Sequence, residues 1–196
     1  GFFTNYSWFL RIKATYLLMF VLGTLSTMAE RLPEKGVPQL ENFTPSYYQN
    51  KGKIWDIRSS PNGIVYMAAD KGLLEYDGKN WNSYRGPNGF TRSLLVVNDS
   101  LIYTGSDLDF GVWRKNEYQA FEYSSLYPFQ NDIHLINEEF WDVHRLNEDI
   151  VFVSSQNIYI YTSQQLTRIP APFRFSSSFS INDTLYFSDE RKGLYA

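Results

Sequence analysis

The chain has 196 residues, a net charge of −3, two histidines and no cysteine. The acidic balance argues against a nucleic-acid contact by this segment, which would need Lys and Arg to neutralise phosphates. The missing cysteines exclude disulfides and thiolate metal sites. Aromatic residues make up 18% of the chain, 15 Tyr and 15 Phe among them, and favour strands over helices.

Residues 1–29 read as a targeting segment. Arg11 and Lys13 precede an unbroken apolar run, Tyr16 to Leu22, followed by Gly23 and the small residues Ser26, Thr27 and Ala29. That order is a basic region, an apolar region and a cleavage site, with Thr27 and Ala29 at its −3 and −1 positions. The rival is a membrane anchor. Residues 14–25 would give a helix of about 18 Å, short of the roughly 30 Å hydrocarbon core. The ten residues before Arg11 are no ordinary signal start, so the natural start is expected elsewhere. Residues 30–52 form a linker with Pro33, Gly36 and Pro38, and residues 40–44 are expected to form a strand that closes a sheet edge.

Residues 53–86 are the repeated unit. Strands are expected over 53–58, 64–68, 73–76 and 81–84. Pro61-Asn62-Gly63, Asp70-Lys71-Gly72 and Asp77-Gly78 supply the turns. The first turn recurs at Asn98, Asn147 and Asn182, at spacings of 36, 49 and 35. Gly72-Leu73-Leu74-Glu75-Tyr76 recurs as Gly111-Val112-Trp113, Ile158-Tyr159-Ile160-Tyr161 and Gly193-Leu194-Tyr195. The long spacing places an inserted loop at 130–138. Blades follow at 53–86, 90–129 and 139–170, with an incomplete one at 173–196. The reading is all-β: a β-propeller of four-stranded blades, of which about three and a half are present as the N-terminal part of a longer protein. A β-sandwich with accidental turn regularity is the alternative. Residues 1–196 are not expected to fold alone, because the ring is open.

Several stretches together resemble one family. They are Leu40 to Tyr48, Lys53-Ile54-Trp55-Asp56-Ile57, Gly72 to Gly78 with Trp81, Thr91-Arg92-Ser93-Leu94, Tyr103-Thr104-Gly105-Ser106, Asp109-Phe110-Gly111-Val112-Trp113, Glu139-Phe140-Trp141 and Ile158-Tyr159-Ile160-Tyr161. The series resembles the periplasmic two-component-regulator propeller of membrane-spanning regulators in Gram-negative, polysaccharide-degrading bacteria. The branch it is most similar to carries a triple-tyrosine domain and a LuxR-type helix-turn-helix. Its sister branch is the hybrid two-component sensor kinases. The resemblance spans residues 36–196. It implies a periplasmic sensor in an inner-membrane protein, an oligosaccharide stimulus and control of glycan-utilisation genes. It further implies a homodimer in the full-length protein, DNA contact only through a C-terminal domain outside this sequence, and membrane contact only through a downstream helix. A secreted glycan-binding propeller or propeller enzyme is the reading from another class.

No cofactor is expected. His134 and His144 are not in a metal-ligand spacing, and no nucleophile elbow or phosphate-cradling loop appears. Asp107 and Asp109 are the best carboxylate pair. Aspartates at turns more often bond their own backbone, and a catalytic or calcium role there is disfavoured. The chain therefore reads as a binder and not an enzyme. Loops on one propeller face would present Asp70 and Lys71, Asp107 and Asp109, Gln156 and Asn157, and Glu190 and Arg191. Trp55 and Trp141, at the starts of inner strands, could offer flat apolar faces to a sugar or else pack between blades. Trp81 and Trp113 read as blade core.

Overall fold

The computed structural model describes residues 40–48, 52–86, 89–128, 138–189 and 193–196. The targeting segment, most of the linker, all but the last residue of the inserted loop, and His134 lie outside these. Residues Phe43–Ala196 form one compact unit. Among the described residues no helix is long and apolar enough to cross a membrane.

The fold is a β-propeller array of four antiparallel sheets, each taken up in chain order. Blade 1 comprises β1 (Ile54–Ser59), β2 (Val65–Ala69), β3 (Gly72–Tyr76) and β4 (Trp81–Arg85). Blade 2 comprises β5 (Thr91–Asn98), β6 (Leu101–Ser106), β7 (Asp109–Lys115) and β8 (Phe121–Ser125). Blade 3 comprises β9 (Phe140–Leu146), β10 (Asp149–Ser154), β11 (Asn157–Thr162) and β12 (Gln165–Pro170). Blade 4 has β13 (Ser177–Ile181), β14 (Thr184–Asp189) and β15 (Gly193–Tyr195). The turn residues do what their chemistry predicts. Asn147 and Asn182 take left-handed conformations at φ 54° and 48°, and Gly63 does so at 83°.

One expected strand is replaced by a helical turn. Residues 40–44 have no regular structure, and α1 (Pro45–Tyr48) follows. Thr44 O accepts the Tyr47 amide at 2.9 Å. Proline at the first helical position has a preset φ and lacks only an N–H that a helix start leaves unpaired. Helix-start chemistry at Thr44-Pro45 therefore outweighs the strand pattern before it. Phe43 and Tyr48 meet the Trp81 ring at 5.2 Å each, on the face of blade 1 turned away from blade 2. Trp81 thus sits under this segment and is only half-buried.

The middle strands are apolar on both faces because a blade is covered on both sides. Tyr66, Ala68 and Leu73 meet Leu94, Ile102, Trp113 and Phe121 across the seam of blades 1 and 2. Tyr103, Phe110, Val112 and Tyr127 meet Phe140, Val143, Phe152 and Tyr159 across the next. Phe110 is its centre, fully buried, with the Phe152 ring stacked at 4.2 Å and the Phe140 ring edge-on at 4.8 Å. Val151 and Val153 meet Phe175, Leu185 and Phe187 across the third seam. Trp113 is core, as expected, and its Nε1 donates to Thr104 Oγ1 at 2.9 Å.

Buried carboxylates reinforce the seams. Glu75 in β3 accepts from Lys115 Nζ of blade 2 at 2.7 Å and from Tyr84 OH at 2.8 Å. Glu138 accepts from Tyr127 OH, Ser154 Oγ, Asn157 Nδ2 and Tyr159 OH at 2.5–3.0 Å. It is buried and anchors the start of blade 3.

Candidate ligand-binding face

The inner strands β1, β5 and β9 lie side by side. Each contains a bulge near its start. The register slips between Ile54 and Asp56 in β1 and between Thr91 and Ser93 in β5. In β9, Asp142 pairs with Val153 and Phe140 with Ser154. The extra residues are Trp55, Arg92 and Trp141. A bulge re-aims the side chain it carries, and here three equivalent bulges aim theirs at one another. The Arg92 guanidinium lies 4.7 Å from the Trp55 ring centre and 4.2 Å from that of Trp141. The two indoles meet edge to face at 5.8 Å. Phe90 extends the row, stacked on Trp55 at 6.4 Å. Each such cation–π contact is worth about 0.5–2 kcal/mol.

Carboxylates from the neighbouring loops fix this row. Asp70 accepts from Trp55 Nε1 at 2.7 Å and from the Lys53 amide at 2.9 Å. Asp107 pairs with Arg92 Nε and accepts from the Phe90 amide at 3.3 Å. Glu139 takes Arg92 Nη2 on one oxygen and Trp141 Nε1 on the other, both at 3.1 Å. The Arg92 side chain is 8% exposed, whereas Trp141 is 44% exposed.

An open groove flanks each end of the row. One, about 500 Å³, is lined by Asp70, Lys71, Arg85 and Phe90. The other, about 420 Å³, is lined by Glu139, Trp141, Gln156 and Arg174. The structure thus brings Trp55, Asp70, Lys71, Asp107, Trp141 and Gln156 to one face. Glu190 and Arg191 lie outside the described residues. Asn157 turns inward onto Glu138.

Asp109 does not join this face. It is the first residue of β7, buried, and accepts from Ser125 Oγ at 2.6 Å. Burial raises its carboxyl pKa, with the Ser125 bond opposing the shift. Asp107 and Asp109 therefore point to different environments and do not flank one substrate bond. Arg92, the second residue of β5, was not among the residues expected at this face. Its signal lay in the repeat, since Arg92 stands 37 residues after Trp55.

The residue after each bulge ties its blade to the next. Asp56 Oδ2 accepts the Leu94 amide at 3.1 Å. Ser93 Oγ donates to Phe140 O at 3.0 Å. Asp142 Oδ2 accepts the amide and the hydroxyl of Ser178 at 3.0 and 2.7 Å. Burial raises the Asp56 pKa, opposed by the Leu94 bond. His144 lies 2.8 Å from Ser178 Oγ. The serine proton is directed at a carboxylate, so His144 does not activate that hydroxyl as a nucleophile. Burial lowers the His144 pKa, with Asp142 pulling the other way. Among the described residues no group of three or more His, Asp or Glu is placed to hold a metal.

No protein-family model matches the chain, and no curated protein matches it. Solved structures do. One is the extracellular domain of BT4673 from B. thetaiotaomicron, described as a proposed one-component system. It has a TM-score of 0.58 and 19% identity, over 81% of this chain and 22% of that one. A second structure of a BT4673 extracellular domain, described as a proposed hybrid two-component system, has a TM-score of 0.51 and 19% identity, over 69% and 19%. The chain spans about a fifth of those structures, and at this identity the likeness is one of fold.

Proposed function

We propose that this chain is the periplasmic ligand-sensing propeller region of a membrane-spanning transcription regulator that responds to an oligosaccharide and controls glycan-utilisation genes. The observation that carries the reading is the Phe90–Trp55–Arg92–Trp141 row. Three bulges, three carboxylates and two indole N–H bonds are spent on holding flat apolar faces at the mouth of two open grooves. That is the arrangement a sugar ring needs: an apolar platform with polar groups at its rim. The extracellular location of the BT4673 domains that share the fold supports the placement outside the cytoplasm. The chain has no catalytic role in this reading. Ligand shifts the population of one propeller or dimer arrangement, and the bias passes through a membrane helix to the output. DNA is reached only through a separate C-terminal domain. A triple-tyrosine domain and a LuxR-type output follow from the sequence resemblance. The hybrid kinase is the second reading, favoured by the description of one BT4673 structure as part of a hybrid two-component system.

The test is a melting screen of the full-length protein against oligosaccharides. A ligand at 100 times its Kd adds about 2.7 kcal/mol to the stability of the folded state. Trp141→Ala should abolish the shift for the active sugar and leave the unliganded melting temperature near the parent value. A sugar-induced shift that survives both Trp55→Ala and Trp141→Ala would move the site off this face.

A further inference from the structure

Resting on the glycan-sensing reading, we infer that the face is built for an acidic oligosaccharide, one carrying carboxylate or sulfate groups. Asp70, Asp107 and Glu139 are the carboxylates at the row. All their oxygens are already engaged, by Trp55 Nε1 and the Lys53 amide, by Arg92 and the Phe90 amide, and by Arg92 and Trp141 Nε1. They orient the aromatic row and have little left to offer to sugar hydroxyls.

The cations of the grooves are in the opposite condition. Lys71 and Arg85 line the groove beside Phe90, and Arg174 lines the groove beside Trp141. All three are exposed, and among the described residues none makes an ion pair. Lys53, whose Nζ lies 5.4 Å from the Trp55 ring, adds a fourth cation beside the row. The chain as a whole carries −3, so unpaired exposed cations in both grooves depart locally from its overall charge. Arginine offers a planar fork that matches a carboxylate or a sulfate, and such bonds are about twice as strong as neutral ones. A sugar ring stacked on Trp141 would place an equatorial acid group within the groove that holds Arg174 and Gln156. A longer chain running along the row toward Phe90 would reach Lys71 and Arg85.

The test compares three probes by calorimetry on the full-length protein: trigalacturonate, with carboxylates only; a carrageenan tetrasaccharide, with sulfates only; and neutral β-1,4-galactotriose. At least one acidic probe should bind about tenfold or more tighter than the neutral one, a difference of about 1.4 kcal/mol. Its affinity should fall as salt rises from about 50 to about 500 mM, because exposed charges are screened over a Debye length. Arg174→Gln and Lys71→Gln should each weaken it severalfold, and which acidic probe binds assigns the anion. Equal binding of the neutral probe, insensitive to Arg174→Gln, would overturn the acidic preference while leaving the glycan site intact. Inorganic sulfate competing as well as the sugars would overturn it too, by reducing the face to a non-specific anion patch. No binding by any probe, and none by a wider neutral panel, would remove both the preference and the glycan-sensing reading.

Discussion

Replacing Lys115 by methionine should damage the protein far more than removing its whole ion pair. Lys115 Nζ in β7 lies 2.7 Å from Glu75 Oε1 in β3, and the two side chains are 12% and 5% exposed. At that distance, with an effective dielectric of about 20, the attraction is about 6 kcal/mol. Desolvating the two ions costs several kcal/mol each, so the pair is worth little net. Removing the cation alone leaves the Glu75 charge buried with only neutral donors, Tyr84 OH at 2.8 Å, Asn82 Nδ2 at 3.2 Å and Tyr66 OH at 3.5 Å. The expected loss is about 3–5 kcal/mol. The Lys115→Met, Glu75→Gln double variant removes both charges together and should lose no more than about 1 kcal/mol. Hydrogen exchange of β3 and β7 amides in the intact protein measures the local opening free energy at this seam. A single variant that loses under about 1 kcal/mol would show that water reaches Glu75 and that the pair behaves as a surface one. A double variant as weak as the single would refute the unpaired-charge reasoning.

Three further outcomes are expected. Phe110→Ala should open a cavity at the seam of blades 2 and 3 and cost about 3–5 kcal/mol; slow exchange retained in β7 and β9 would contradict it. Asp109 keeps its proton in the folded state above the pH at which the unfolded chain, with a pKa of 3.8, releases it. Stability should therefore fall as pH rises from 3.8 through the raised folded value, and Asp109→Asn should flatten that slope in a melting profile against pH. Parallel profiles would show that the carboxyl is solvated. His144 has the opposite sign. Its folded pKa lies below 6.5, so the unfolded chain takes up the proton first as pH falls. Stability should drop from pH 6.5 downward to the folded value, and His144→Gln should remove that component; an unchanged acid limb would assign it to other groups.

The blades were legible because each turn carries its own mechanism. Pro61-Asn62-Gly63 and the asparagines at 147 and 182 mark corners whatever packs around them, and both faces of β2, β6 and β10 are apolar in sequence as in space. The bulges were not legible. Period-2 reasoning sends neighbouring residues to opposite faces, and an inserted residue in the register is invisible to it. Trp55 and Trp141 were still found, since an indole at a strand start attracts notice, but Arg92 reads in sequence as an ordinary solvated cation. Asp109 was misplaced for a related reason. Nothing in Ser106-Asp107-Leu108-Asp109 tells which aspartate starts the strand and is drawn under the blade.

The ties of Asp56, Ser93 and Asp142 each sit one peptide bond from a side chain of the aromatic row. That adjacency makes every blade junction a lever with a very short arm. A backbone rotation at Trp141 would be felt at Asp142, and through it at Ser178 of the following blade. At all three junctions the residue in the aromatic row and the residue that ties the blades together are chain neighbours.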